Sequence, residues 1–181
     1  VSEAIGDLLQ EYGEVQSQDS PKFMNGVYGP AQSSYQRYMR RNVQGVPIPN
    51  SHRFAKPRKE TKELFVALMN ASQEAIRITP KMNLVDGLKK RGVTPLKSKC
   101  ICPTITSIPD DFIHYKEPRI MTVRECARIQ SFTDDYIFLG NYTTGGLRRK
   151  TEVPRYTQVA NAVPPLFAEQ VGVILRSMRD G

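Results

Sequence analysis

Thr122-Val123-Arg124-Glu125 sets a hydroxyl and a carboxylate three residues apart at the head of an apolar run, and that spacing fixes the start of a helix. The Thr122 hydroxyl is placed to accept from the Glu125 amide while the Glu125 carboxylate reaches back to the Thr122 amide, satisfying two otherwise orphaned donors. Met121 and Cys126 fall on the two positions of a hydrophobic staple, and the helix is expected to run to about Ser131. Arg124 and Arg128 stand four residues apart on one side, with Cys126 and Ile129 better placed to face inward. Two guanidinium groups are therefore expected to project outward from a buried helix, where they brace loops or meet phosphate.

The rest of the chain is punctuated by 13 Pro and 12 Gly, which breaks it into short pieces. A first helix covers about a dozen residues, with Ser2 as cap and Ala4, Ile5, Leu8 and Leu9 along a stripe. Gly13 to Pro30 reads as a loop. Ser33 or Ser34 caps a short helix on which Tyr35, Tyr38 and Met39 share a face and Arg37, Arg40 and Arg41 point elsewhere. Three prolines keep Gly45 to Pro57 extended or turning. The best helix of the middle runs from about Thr61 to Ile78 and stops at Pro80; a weaker one covers Lys81 to Lys90, with Gly92 at its C-cap. Alternation in Ile101 to Tyr115 suggests a strand or hairpin edge. A final helix starts near Pro164-Pro165 and carries Phe167, Val171, Ile174, Leu175 and Met178 on one stripe. Pattern alone serves two packings of that stripe equally, on the chain's own core or on a domain outside it. The whole reads as a loop-rich α+β module.

Charge is unevenly spread. Val1 to Ser20 holds five acids and no base, Pro21 to Cys100 sixteen bases and four acids, and the remainder ten bases and nine acids, which together give the net +8. A basic middle interleaved with Tyr28, Tyr35, Tyr38, Phe54 and Phe65 suits a surface facing nucleic-acid phosphate, although solvated basic faces are common. Tyr142-Thr143-Thr144-Gly145-Gly146-Leu147-Arg148-Arg149-Lys150 serves either a close approach to phosphate or an ordinary surface loop. No apolar run approaches the length of a bilayer span, and the chain reads as cytoplasmic. Cys100 and Cys102 are too close in sequence for a comfortable disulfide, and no zinc-ligand spacing is present, so Cys100, Cys102 and Cys126 are expected reduced and metal-free. His52 and His114 stand isolated and are expected in surface or loop positions.

Two stretches resemble DNA cytosine-5 methyltransferases. Arg119 to Phe132 (RIMTVRECARIQSF) resembles the family's motif IX, and Tyr156 to Pro165 (YTQVANAVPP) its motif X. Cys102-Pro103-Thr104-Ile105-Thr106 resembles the close of the variable target-recognition region, and Ser2 to Leu8 the segment after motif VIII. Residues from about Gln10 to Lys99 match no shared pattern. The resemblance implies a target-recognition domain at 13–155, preceded by a segment 1–12 that follows the catalytic domain. Residues 156–181 would return, with the last helix packing on a Rossmann-like α/β catalytic domain outside this chain.

The resemblance also implies roles. Arg124, Glu125 and Arg128 would scaffold the recognition region; Thr104 and Thr106, with Arg148, Arg149 and Lys150, would meet double-stranded DNA. Asn161, Ala162 and Val163 would line the S-adenosylmethionine pocket. No catalytic residue is expected here: the family's Pro-Cys-Gln loop and donor-binding Gly-rich turn have no counterpart, Cys102 precedes its proline, and Cys126 lies within motif IX. Ala160 and Thr133 replace the family's usual Gly and Pro, and positive φ at Ala160 would be strained. The expected partner is the catalytic domain or subunit of the same enzyme, bacterial, nucleoid-associated when on DNA, and linked to restriction-modification. An independent DNA-binding or regulatory module is the alternative. The abrupt start favours a piece of a longer chain over a natural split subunit.

Overall fold

The computed structural model describes residues 1–88, 91–144, 148 and 151–180. Thr122 opens a helix as its sequence predicts: its Oγ accepts from the Glu125 amide at 3.2 Å, and the Glu125 carboxylate accepts from the Thr122 amide at 2.7 Å. This helix, α4 (Val123–Ile129), buries every residue from Val123 to Arg128 and so forms an interior axis. It stops short of Ser131 because Ser131 takes a left-handed φ of 63°.

Two elements from opposite ends of the chain pack on this axis. Helix α1 (Ser2–Ile5) brings Ile5, with Leu8 just beyond it, and helix α5 (Arg155–Ala160) brings Tyr156 and Val159; all four share one core with Met121 and Cys126. The predicted first helix is therefore much shorter than a dozen residues, and a separate 3-10 turn follows at Gln10–Tyr12. Ser2 does not cap it: its hydroxyl donates instead to the Ser98 carbonyl at 3.0 Å, and Val1 is the N-cap. Ala160 lies inside α5 without positive φ, so its replacement of glycine costs no strain.

The loop expected over Gly13 to Pro30 contains an antiparallel hairpin, β1 (Glu14–Gln16) with β2 (Met24–Gly26). Three-residue strands are too short to show a period of two. Gly26 is required by close approach, since a Cβ there would stand 2.5 Å from His52 Nε2 and 2.7 Å from Phe54 Cζ. Ser33 caps α2 (Ser34–Met39) in a box with Gln36. The buried face is Gln36 and Met39, whereas Tyr38 is exposed beneath the Arg41 guanidinium, and Arg40 turns inward to the Gly29 carbonyl at 2.8 Å.

Helix α3 (Lys59–Ala71) begins slightly before the expected Thr61 and ends well before Ile78. Ser72 is extended and its hydroxyl accepts from the Glu74 amide, which draws the backbone out of the helix. Ile78 instead bridges Val93, and both join Phe65, Leu68 and Ile113 in a second core. The weaker helix expected over Lys81 to Lys90 is reduced to a 3-10 turn at Pro80–Met82; Lys89 and Lys90 lie outside the described residues. Gly92 caps no helix and is buried beside the Ile78–Val93 bridge.

Ile101 to Ile108 is irregular, contrary to the strand expected there. The nearby pairing is parallel, between β3 (Thr94–Pro95) and β4 (Phe112–Ile113). Short helices and two small sheets are consistent with α+β. Replacing Thr122 by Ala should lower stability by about 2 kcal/mol, the upper range for a lost cap, because the Thr122 hydroxyl also meets a buried histidine. Urea unfolding with unchanged midpoint would contradict this.

Candidate functional site

The arginines of α4 do not project into solvent. Arg124 and Arg128 are both fully buried, and each ties together segments distant in sequence. Arg128 forks onto Asp134 through Nε and Nη2, both at 2.6 Å, and reaches Asp7 Oδ1 at 3.0 Å and the Ala4 carbonyl at 2.9 Å. Asp134 also accepts from the Tyr28 hydroxyl at 2.6 Å, and Tyr35 donates to the Arg128 carbonyl. Burial opposes a charge on Arg128, but the two aspartates hold it firmly protonated. Burial, reinforced by the charge of Asp134, pushes the Tyr28 hydroxyl far above its ordinary range.

Arg124 lies 3.8 Å from Asp134 Oδ1 but directs its hydrogen bonds mainly to backbone. Its Nε donates to the Asn50 carbonyl at 2.8 Å, Nη1 to Thr133 at 3.2 Å and Nη2 to Tyr136 at 2.6 Å. Asn50 Oδ1 in turn accepts from the Phe138 amide. Each donor of a planar fork thus fixes one strand of irregular backbone, a task a flexible ammonium would perform poorly.

A second buried cluster lies at the N-terminal end of α4. Arg119 meets the Glu125 carboxylate with both Nη atoms, at 2.9 and 2.7 Å, while its Nε donates to Glu117. His52 and His114 both stand in irregular segments, as expected of loop residues, but they are wholly buried here and not on the surface. The Thr122 hydroxyl, which accepts from the Glu125 amide, also makes a hydrogen bond with His52 Nδ1 at 2.9 Å. His114 Nδ1 accepts from the Lys116 and Glu117 amides, leaving Nε2 as the protonated nitrogen, 3.6 Å from Glu125. Burial holds His52 down to about 4 and His114 to about 3, so both are neutral at physiological pH. Burial alone would raise Glu125, but Arg119 and its neighbours hold it at about 2.

Arg155 extends the bracing to α5, donating to Gly140 and Ser51 and pairing with Asp19 at 2.8 Å. Asp7, Asn50, Arg119 and Asp134 were not singled out from sequence. Asp7 carried a signal, a charge inside the apolar run Ile5-Gly6-Asp7-Leu8-Leu9. Asn50, in a proline-broken stretch, carried none.

The residues expected at DNA are placed differently. Thr104 is exposed, whereas Thr106 turns its hydroxyl onto Asp111 at 2.8 Å, within a cluster that also receives Arg77 and Arg91. Arg148 is exposed; Arg149 and Lys150 lie outside the described residues. Asn161, Ala162 and Val163 form the turn between α5 and the last helix, α6 (Pro165–Asp180), with Asn161 and Val163 exposed and Ala162 packed on the core. Ser131 Oγ accepts from the Leu166 amide and fixes where that helix departs. Beyond it α6 buries nothing: Phe167, Ile174, Leu175 and Met178 all face open solvent. The open cavity of about 460 Å³ lined by Asp19, Asn25, Tyr28, Asn50 and Tyr142 contains none of the expected site residues.

Neither Cys102 nor Cys126 is activated. Burial pushes Cys102 up to about 11 and Cys126 well above its ordinary value. Among the described residues no cluster is arranged to hold a metal, and no helix is long and apolar enough to cross a membrane.

The C-5 cytosine-specific DNA methylase model matches residues 2–176, and the chain belongs to that family. It is similar to the type II methyltransferase M.DdeI of Desulfomicrobium norvegicum, with 48% identity over 38% of this chain and 16% of the relative. It also resembles the type II methyltransferase M.AquIB of Picosynechococcus, at 46% identity over 38% of this chain and 51% of the relative. A third relative is DNA (cytosine-5)-methyltransferase 1 of Mus musculus, 39% identical over 35% of this chain and 3% of its own length. The matched region thus spans about half of one curated relative and far less of the other two.

Two outcomes follow. Asp134→Asn should cost about 3 kcal/mol or more in urea unfolding, since it leaves the Arg128 charge buried and weakly paired; a loss under about 1 kcal/mol would contradict the scaffold. Stability should also fall with acid. His52 and His114 take up protons near pH 6.5 only when unfolded, so their contribution is full above pH 6.5 and is lost as pH drops towards about 4 and about 3; Glu125 adds a loss from about 4.5 to about 2. A urea midpoint constant from pH 7 to pH 4 would refute the burial of neutral histidines.

Proposed function

We propose that this chain is the DNA-recognition portion of a DNA cytosine-5 methyltransferase and that the chemistry is performed by a catalytic domain or subunit outside these 181 residues. The observation that carries the reading is the bare apolar face of α6, reached directly from the exposed Asn161–Val163 turn. An amphipathic helix anchored at its first turn and uncovered afterwards is suited to pack against a Rossmann-like catalytic domain. The two cysteines with raised values support the division, because a cytosine-attacking nucleophile must be available as thiolate.

In this reading, α4 and its arginines hold the loops that face double-stranded DNA. Thr104 and Arg148, with Arg149 and Lys150, contact the duplex; Thr106 acts one step back by ordering its loop through Asp111. S-adenosylmethionine supplies the methyl group when bound to the complete enzyme. Asn161, Ala162 and Val163 fit one wall of its pocket, being a turn open to a partner surface, and the remaining walls come from the catalytic domain. The enzyme works in the cytoplasm on sequence-specific duplex DNA, within a restriction-modification system.

The purified chain alone should transfer no methyl group to duplex DNA, and mixing it with the matched catalytic fragment should restore 5-methylcytosine formation. Methyl transfer by the chain alone would overturn the division of labour. DNA binding without complementation would favour an independent DNA-binding or regulatory module.

A further inference from the structure

Ile101 is 93% exposed, more than any other large apolar side chain described, including those of α6. It does not sit on a loose loop. On one side Leu96 is buried and its amide donates to Ile113 at 3.0 Å; on the other Ile105 is buried in the main core. The turn between them is pinned as well. The Ser98 carbonyl accepts from the Ser2 amide and hydroxyl, both at 3.0 Å, and Lys97 Nζ donates to the Met69 carbonyl at 2.7 Å. The fold therefore holds an isoleucine out in water on a fixed stem.

Its sequence neighbours indicate what covers it. Lys99 beside it is exposed, and the eighty residues that lead up to it carry sixteen bases against four acids. Pro103 and Thr104 continue the exposed edge without adding charge. A rigid apolar tip beside a cation, at the end of a strongly basic region, complements a polyanion that also offers apolar base edges, and duplex DNA has both.

We propose that Ile101 is a DNA-contact residue that enters a groove and packs against base edges while Lys99 meets the neighbouring phosphate. The inference rests on the reading of this chain as a DNA-recognition portion and assigns a residue to it that the family resemblance did not. The contact is apolar, so its signature differs from that of the basic residues: it contributes equally at all salt concentrations.

The test uses the 181-residue chain and a fluorescently labelled mixed-sequence duplex, with affinity read by anisotropy over a salt series. Ile101→Ala should weaken binding about tenfold with the salt slope unchanged, and Lys99→Ala should make the slope shallower by about one. The chain has no Trp; Ile101→Trp therefore introduces a single reporter whose emission should be quenched by unlabelled duplex. Near-complete exposure of Ile101 means these variants keep the wild-type unfolding midpoint. If the wild type binds the duplex while Ile101→Ala binds equally well and the Ile101→Trp emission does not change, this inference fails and the DNA-recognition reading stands. Emission that responds to the catalytic fragment and not to DNA likewise overturns it. Absence of any duplex binding by the wild type removes both.

Discussion

The fork of Arg128 onto Asp134, with Asp7 as its second acid, is the interaction on which the rest of the structure depends. Putting a guanidinium and two carboxylates out of water is costly, and only near-complete pairing makes the arrangement tolerable. The pairing draws in Asp7 from the first segment and Asp134 from the loop after α4, while Tyr28 and Arg40 complete the acids' remaining acceptor sites. A chain with two-residue and three-residue strands has little ladder hydrogen bonding to specify its fold. Side-chain donors aimed at backbone carbonyls, above all those of Arg124, take over that task.

This division explains the placement of exposed features. Segments held by α4 are fixed closely, so residues presented on them, such as Thr104, occupy defined positions without regular secondary structure. The same rigidity extends to the Ser131–Leu166 hydrogen bond, after which α6 leaves the body with its apolar stripe uncovered. Under the proposed function these two properties share a purpose: one surface would serve the duplex and another the remainder of the enzyme.

Much of the skeleton was legible from local chemistry. The Thr122–Glu125 box, the serine cap at Ser33, the staple at Met121 and Cys126, and the start of α6 at the Pro164-Pro165 pair all depend on residues within one turn of each other. What could not be read depended on contacts across the chain. The outward direction assigned to Arg124 and Arg128 followed from the ordinary preference of charge for water, and it failed because Asp7 and Asn50 approach from far away in sequence while the loop after α4 folds Asp134 and the Thr133 and Tyr136 carbonyls back onto the helix. His52 and His114 were judged isolated by the same local logic; their partners, Thr122 and Glu125, lie 70 and 11 positions distant. The over-long α3 reflects apolar spacing that continues past Ala71 although Ser72 and the Ile78–Val93 bridge pull the backbone straight. The site residues of the resemblance were separated rather than gathered: the scaffold set shares one buried helix, while Thr104, Arg148 and the Asn161 turn stand on different loops.

Amide hydrogen exchange along α6, measured with and without the catalytic part of the same methyltransferase, tests the central claim most directly. The account predicts fast exchange over residues 167–178 in the chain alone and strong protection when the catalytic part is added, with α4 protected in both states. Slow exchange of α6 in the chain alone, or no change on adding the catalytic part, would contradict it.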